Sequence, residues 1–233
     1  FHICMKTDHS PPNAGFRAAA LDHLLLLLSL SVPAAIYMAM SYPPPEITQG
    51  QAHRIFYIHV PIAWVALYAP LLSALCGILY LVKRQAVFDT WSVAANRIAL
   101  LFALGVVISG PIWAKAIWGV YWDWTDERLM SFFILLLSLG GYFYARSLAT
   151  SPERRARISA ILSVIAALSA LTTWFAIRLV DPQLHPKSLL GAMAPSIRLT
   201  FWINIVAFHF LFLAFFRVAL RLERNRSSLE KSS

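Results

Sequence analysis

Residues 56–82 read FYIHVPIAWVALYAPLLSALCGILYLV, and this stretch decides the fold class. It contains no Asp, Glu, Lys or Arg, and Arg54 and Lys83 flank it. A helix of roughly 20 apolar residues crosses the hydrocarbon core of a bilayer, which is about 30 Å thick. The stretch is long enough for one such crossing, so the sequence predicts an integral membrane protein.

Five further stretches of the 233-residue chain reach a similar length. Hydrophobic residues make up 59% of the sequence and charged residues only 13%, a balance far more apolar than a water-soluble domain needs. The sequence therefore predicts an all-α integral membrane protein, built as a single bundle of six transmembrane helices. The predicted spans are residues 18–40, 56–82, 95–115, 129–147, 158–179 and 197–219.

The first span is expected to be retained rather than removed as a signal peptide. It runs into the turn-like residues 41–45, SYPPP, and it lacks a small-residue cleavage motif. Residues 1–17 then form a cytoplasmic leader, in which Met5 is a candidate start, and residues 220–233 form a basic cytoplasmic tail. The domain between them, residues 18–219, carries all six spans.

Lysine and arginine residues are distributed unevenly between alternate connecting segments, which predicts the orientation. One set of segments holds thirteen of them: Lys6, Arg17, Lys83, Arg84, Arg146, Arg154, Arg155, Arg157, Arg217, Arg221, Arg224, Arg226 and Lys231. The other set holds six: Arg54, Lys115, Arg128, Arg178, Lys187 and Arg198. Because positively charged loops stay in the cytoplasm, both termini are predicted to be cytoplasmic, in a bacterial inner membrane. The net charge of +9 is then a topology signal, and no nucleic-acid partner is expected.

Two features argue against catalysis by this chain. The two cysteines, Cys4 and Cys76, form neither a CxxC pair nor a disulfide framework. The sequence also has no Walker-type glycine loop, so any nucleotide hydrolysis must come from a partner. We therefore predict a protein that is not an enzyme.

The loop between the third and fourth spans, residues 113–128 at the outer face, has the composition of a binding surface. Trp118, Tyr121 and Trp122 have i, i+3, i+4 spacing, which predicts a short interfacial helix with one aromatic face. Such a face suits a planar, amphipathic ligand, or else it is an aromatic belt that contacts membrane lipid at headgroup depth. Four of the eight tryptophans lie in this loop: Trp113, Trp118, Trp122 and Trp124.

Histidines flank this loop in the sequence. His59 is expected about one turn inside the outer end of the second span, with Pro61 in the first turn of that helix. His185 lies in the last outer loop, directly before Pro186. Neutral imidazole is a good axial ligand of heme iron, and two histidines on opposite sides of one plane form a bis-histidine site. The plainer alternatives are a hydrogen-bonded core histidine for His59 and a solvated one for His185.

Three segments resemble the WWD-motif family of heme-handling proteins in cytochrome c-type biogenesis, and within it the heme exporter protein C (CcmC) family. They are the His-Val-Pro segment at His59, the segment from Trp118 to Trp124 (WGVYWDW) that continues to Arg128, and Leu184-His185-Pro186. The resemblance implies that the WWD loop holds b-type heme non-covalently and in transit, with His59 and His185 as its axial iron ligands.

The resemblance also implies partners. Heme passes to a membrane-anchored periplasmic heme chaperone (CcmE-like). ABC transporter subunits (CcmA/CcmB-like) and a small single-span helper (CcmD-like) work beside the chain. These expectations describe a protein of heme transport rather than of redox chemistry.

One residue is inserted relative to the usual family pattern between Trp124 and Arg128. Either Asp123 or Asp126 then takes the acidic position of the motif, and Asp126 is favoured because it keeps the order Trp, Asp, Arg. Bidentate arginines are suited to the carboxylates of heme propionates. Three arginines near the outer surface are candidates for that role: Arg54, Arg128 and Arg178.

A b-type heme electron-transfer subunit, linked to quinol oxidation, is the second interpretation. It needs histidines that face one another within the bundle. Here His59 and His185 are predicted at one face, and only His209 lies deep in a span, where a buried structural role is expected. A small-molecule permease is disfavoured because its helices are typically broken by polar residues near the midplane.

Overall fold

The computed structural model describes residues 14–179 and 193–232, and the described part is helical apart from short connections. Six of its helical segments are long and apolar enough to cross a membrane, which confirms the predicted bundle of six spans. A turn of 3-10 helix, Gln51–Ile55, leads into α3. The helices are α1 (Ala14–Ser29), α2 (Ser31–Ser41), α3 (Phe56–Lys83), α4 (Ala86–Trp118), α5 (Glu127–Ser147), α6 (Pro152–Leu179) and α7 (Pro195–Ser232).

The helices extend beyond the predicted spans at the end of the bundle where α1 begins and α7 ends, which is the end predicted to be inner. The first span consists of α1 and α2, which meet at Leu30. Helix α4 begins at Ala86 instead of residue 95, and α7 continues through the segment predicted as a separate tail. Arg97, within the third predicted span, pairs with Glu223, which lies beyond the last predicted span on α7, so charged residues are accommodated within the helical bundle.

Ion pairs between helices hold the inner end together. Asp22 on α1 pairs with Arg217, 2.9 Å away, and with Arg221. Asp89 on α4 forms a bidentate pair with Arg146 on α5, with both distances 2.8 Å. The start of the first span and the end of the last therefore lie at the same end of the bundle, as an even number of spans requires.

Helix α3 lies at the centre of the bundle and packs against α4, α6 and α7. Its close approach to α6 depends on Gly77, because a Cβ added there would lie 3.0 Å from the Ala160 Cα and closer still to the Ser163 hydroxyl. Small residues at helix contacts are typical of membrane proteins, in which backbones associate by close packing. At its other end, α3 contacts α4 through His59 and Ser109, close to where the tryptophan-rich loop begins.

Candidate functional site

His59 lies near the start of α3, at the end of the bundle predicted to be outer, and α3 begins at Phe56, the first residue of the predicted span. The 3-10 turn Gln51–Ile55 continues directly into α3, so Pro61 is inside the helix and not in its first turn. Pro61 has no N–H to donate to the Tyr57 carbonyl, which removes one helical hydrogen bond beside His59.

Helix α4 contacts the His59 ring on several sides. His59 Nδ1 lies 2.9 Å from the Ser109 hydroxyl. A Cβ added at Gly110 would lie 3.1 Å from His59 Cε1, so the absence of a side chain there permits the close approach. The Trp113 ring meets the imidazole edge-on, with centroids 5.6 Å apart. The orientation of His59 is therefore set by three neighbouring positions on one helix.

The loop before α3 covers Trp113. The buried Trp113 ring donates its Nε1–H to Gln49 Oε1 at 3.2 Å. Glu46 holds this loop in shape by accepting hydrogen bonds from the backbone N–H groups of Thr48 (2.8 Å) and Gln49 (2.6 Å). Partial burial raises the pKa of Glu46, but these hydrogen bonds outweigh it and keep the pKa below its ordinary value.

The tryptophan-rich loop does not form the predicted interfacial helix. Helix α4 ends at Trp118, and Gly119 adopts a left-handed conformation with φ of 76°. The Gly119 N–H donates to the Lys115 carbonyl at 3.1 Å, which is a glycine-terminated helix end. Residues 119–126 contain bends and a turn but no helix. Trp118 and Trp122 are therefore brought together by this loop and not by helical spacing.

Asp126 begins α5 and pairs with Arg128. Its Oδ1 accepts from the backbone N–H groups of Arg128 (2.9 Å) and Leu129 (3.2 Å), which makes it the N-cap. The Arg128 guanidinium binds both carboxylate oxygens, at 3.0 and 2.5 Å. The two residues are only 7% and 5% exposed. Burial raises the pKa of Asp126, but the hydrogen bonds from Arg128 and Leu129 outweigh it and keep the pKa below its ordinary value.

Asp123, the other candidate for the motif acid, makes only local contacts to Thr125. Its Oδ1 accepts from the Thr125 N–H at 2.8 Å and the Thr125 hydroxyl at 2.7 Å. These bonds lower the pKa of Asp123 below its ordinary value. The preference for Asp126 as the motif acid stays a prediction.

Five of the predicted site residues line one pocket at the outer end of the bundle. Its enclosed volume is about 70 Å³, and its walls are mostly apolar. Pockets that enclose a drug-sized ligand usually measure about 300–1,000 Å³, so a flat ligand can rest a face or an edge here without being enclosed. The five residues are His59, Trp113, Trp118, Trp122 and Arg128.

Tyr121 and Trp124 are not among the residues that line this pocket. They are 61% and 65% exposed, and Lys115 Nζ lies 5.4 Å from the centre of the Tyr121 ring. Trp124 packs against Trp122 and Phe133, with ring centroids 5.7 Å apart in each case. Both residues therefore lie at the surface, and Trp124 also contacts the ring of Trp122.

Two hydrogen-bond donors of the pocket residues are buried without an acceptor in the described part of the chain. They are Trp122 Nε1 and Arg128 Nη1. Buried N–H groups are nearly always paired, so two orphaned donors in one pocket indicate a place for an acceptor from a ligand or water. A carboxylate-bearing planar molecule meets this requirement.

The other two candidate arginines, Arg54 and Arg178, contact groups away from the pocket. Arg54 donates to the Ala39 carbonyl at 2.8 Å and to Gln51 Oε1 at 2.5 Å. The Arg178 guanidinium lies 4.1 Å from the centre of the Trp174 ring. Of the three, Arg128 is the one that lines the pocket.

The histidines of the described residues other than His59 do not line the pocket. His185, the second predicted iron ligand, lies outside the described residues. His209 Nδ1 lies 2.7 Å from the Ile205 carbonyl, and its ring stacks on Tyr68. His209 therefore contacts a tyrosine, which does not favour a pair of facing histidines in the bundle.

The sequence prediction missed Ser109, Gly110 and Gln49. A short polar residue followed by glycine inside an apolar run was the available signal for the first two. Nothing in the sequence distinguishes Gln49 from other polar residues of an outer loop.

Comparison with known proteins identifies the family of this chain. The sequence model of the family described as CcmC, heme exporter protein C, matches residues 9–232. The heme exporter protein C of Paracoccus denitrificans is 29% identical over 192 residues, covering 80% of this chain and 79% of that protein. A ccmC-like mitochondrial protein of cytochrome c biosynthesis from Marchantia polymorpha is 30% identical, covering 73% of this chain and 72% of that protein. The heme exporter protein C of Haemophilus influenzae is 26% identical over 92% of this chain and 86% of its own length. With a family match over nearly its whole length, the chain belongs to the heme exporter protein C (CcmC) family.

Proposed function

We propose that this protein binds heme as cargo at the periplasmic face of a bacterial inner membrane and delivers it to a periplasmic heme chaperone during cytochrome c maturation. Membership of the heme exporter protein C family supports the general role in heme handling. The residues below, the direction of delivery and the partners are the proposed part.

One observation carries the proposal: a histidine, three tryptophans and an arginine meet in one apolar pocket at the end of the bundle predicted to be outer. Heme needs an iron ligand, an apolar or aromatic surface for the porphyrin and donors for its two propionates. We assign the iron ligand to His59 and the aromatic surface to Trp118 and Trp122. Arg128 is assigned as a donor to the propionates. The orphaned Trp122 Nε1 and Arg128 Nη1 donors support this assignment, because a propionate oxygen accepts from both kinds of group.

The iron of the cargo takes axial ligands, which we assign to His59 and His185. The aromatic rings of Trp118 and Trp122 bury part of the porphyrin. Trp113 contacts the His59 ring and helps to hold it in place. Trp124 does the same for Trp122. Asp126 keeps the Arg128 guanidinium at the pocket through its bidentate pair.

The small enclosed volume supports a role in transfer. A pocket of about 70 Å³ among the described residues encloses only part of a porphyrin, and we propose that a second protein contacts another part of it. We therefore propose a membrane-anchored heme chaperone (CcmE-like) as recipient, with ABC transporter subunits and a small single-span helper in the same complex. Non-covalent axial bonds make release compatible with this hand-over.

The test is heme binding by the full-length protein purified in detergent without its chaperone. We expect a low-spin heme spectrum for the wild type, loss of that spectrum in His59→Ala and in His185→Ala, and its retention in the matched control His209→Ala. A wild-type protein that binds no heme would overturn the proposal, and an unchanged spectrum in His59→Ala would overturn its ligand assignment.

Trp122 allows the two proposed contacts to be separated. Trp122→Phe keeps an aromatic ring but removes the indole N–H, whereas Trp122→Ala removes both. We expect Trp122→Phe to weaken binding of heme but not of heme dimethyl ester, which has no free carboxylates. Equal losses for both ligands would argue against a propionate at this donor.

A further inference from the structure

We propose that Ser109 is a positioning residue, which fixes the tautomer and the orientation of the His59 imidazole so that Nε2 carries the lone pair offered to iron. The inference rests on the proposed function and adds to it a residue outside the tryptophan-rich loop. Ser109 belongs to α4, whereas His59 belongs to α3.

The single hydroxyl proton of Ser109 decides the tautomer. Ser109 Oγ lies 2.8 Å from the Gly105 carbonyl oxygen and 2.9 Å from His59 Nδ1. A carbonyl oxygen only accepts, so the first contact is a hydrogen bond only if the hydroxyl donates to Gly105. The second is then a hydrogen bond only if Nδ1 carries the proton and donates to Ser109 Oγ. Both are satisfied in one tautomer, in which Nε2 is unprotonated.

The surroundings make this preference strong. The contact between Ser109 and His59 is partly buried at the end of an apolar span, where a donor or acceptor left unsatisfied is costly. In metal sites, a hydrogen bond from the second ring nitrogen of a histidine also raises the basicity of the ligating nitrogen. Ser109 is thus placed to increase the affinity of His59 for iron.

The neighbours of Ser109 restrict the orientation of the ring. Gly110 allows α4 to approach His59 so closely that an added Cβ would lie 3.1 Å from Cε1. Trp113 contacts the ring edge-on from the next turn of the same helix. With Ser109 bonded to Nδ1, the imidazole is constrained against both rotation and translation.

A heme-free measurement tests the tautomer directly. In protein labelled with ¹⁵N histidine, the two ring nitrogens of His59 give distinct shifts, which are assigned by their disappearance in His59→Ala. Above the pH at which His59 titrates, we expect a protonated Nδ1 and an unprotonated Nε2 in the wild type. Ser109→Ala is expected to give a mixture of tautomers, and Ser109→Thr, which keeps a hydroxyl, to restore the wild-type pattern.

A heme titration tests the consequence. Ser109→Ala is expected to retain axial ligation but to lose about tenfold or more in heme affinity, the usual effect of removing such a hydrogen bond. Its midpoint potential is expected to rise, because a less basic imidazole stabilises ferric iron less. Ser41→Ala is the matched control, since Ser41 Oγ makes the same 2.8 Å bond to a carbonyl four residues earlier, that of Tyr37.

The outcomes separate this inference from the proposed function. An Nε2-protonated His59 in the wild-type protein overturns the role of Ser109, whether or not heme binds. Wild-type affinity and potential in Ser109→Ala overturn it as well, while His59→Ala still tests the ligand. A wild type with the expected tautomer but no heme binding overturns the proposed function alone.

Discussion

Replacing Asp126 by alanine removes two interactions at the start of α5. Loss of an N-cap typically costs about 1 kcal/mol. Loss of one partner of a buried ion pair costs about 3–5 kcal/mol, because the remaining charge stays buried, and Arg128 is only 5% exposed. The two contributions overlap in the same contacts, so we expect Asp126→Ala to lower the free energy of unfolding by about 4 kcal/mol in total.

The assay is reversible unfolding in mixed micelles by a rising fraction of SDS, followed by circular dichroism. Asp123→Ala is the matched control, since this carboxylate lies in the same loop but bonds only to Thr125. We expect its unfolding midpoint to stay close to that of the wild type.

A double variant identifies the cause of the loss. If the unpaired Arg128 guanidinium is responsible, adding Arg128→Met to Asp126→Ala should recover more than half of the stability, because no buried charge then remains. The reasoning is refuted if Asp126→Ala unfolds like Asp123→Ala, or if the second substitution deepens the loss.

Three further predictions use the same protein. Gly77→Ala should destabilise the bundle by about 1–3 kcal/mol, because the added methyl group has no space against α6, whereas Gly140, with nothing within 4 Å of an added Cβ, should tolerate alanine in the same SDS assay. The folded-state pKa of Asp126 is depressed, so its contribution to stability is present above the unfolded-state pKa of about 3.9 and is lost as the pH falls through the folded pKa. The wild-type midpoint should therefore fall in acid, and this dependence should be smaller in Asp126→Ala. Tyr121→Ala should leave heme affinity unchanged in a titration followed at the Soret band, because Tyr121 lies outside the pocket. A large loss of heme affinity would instead indicate that heme binds to the exposed side of the loop.

Hydropathy was sufficient to predict the six spans but not their inner ends. The predicted third span began at residue 95, whereas α4 begins at Ala86 and includes Asp89. Asp89 is paired with Arg146 on another helix, so its charge does not end the span. A single sequence does not reveal which distant charges will pair.

The tryptophan-rich loop shows a competition between local signals. The spacing of Trp118 and Trp122 favours a helix, but Gly119 is suited to a helix end and Asp126 to the next N-cap. These two end signals prevailed, leaving residues 119–126 without a helix. Trp118 and Trp122 nevertheless line one pocket with His59. This arrangement depends on the packing of α3 against α4, and no local sequence pattern encodes that packing.

The ion pair of Asp22 with α7 has a consequence for biogenesis. Asp22 enters the membrane with the first span, but Arg217 is made 195 residues later. An ionised carboxylate in or beside the hydrocarbon core is costly until it is paired. Helix α1 packs against α7, so it gains this neighbour and its counter-ions only after α7, the last of the described helices, has been synthesised. Helix α1 precedes the other described helices in the chain and is therefore among the last of them to be locked into the bundle. A nascent chain truncated before α7 carries an unneutralised acid in α1.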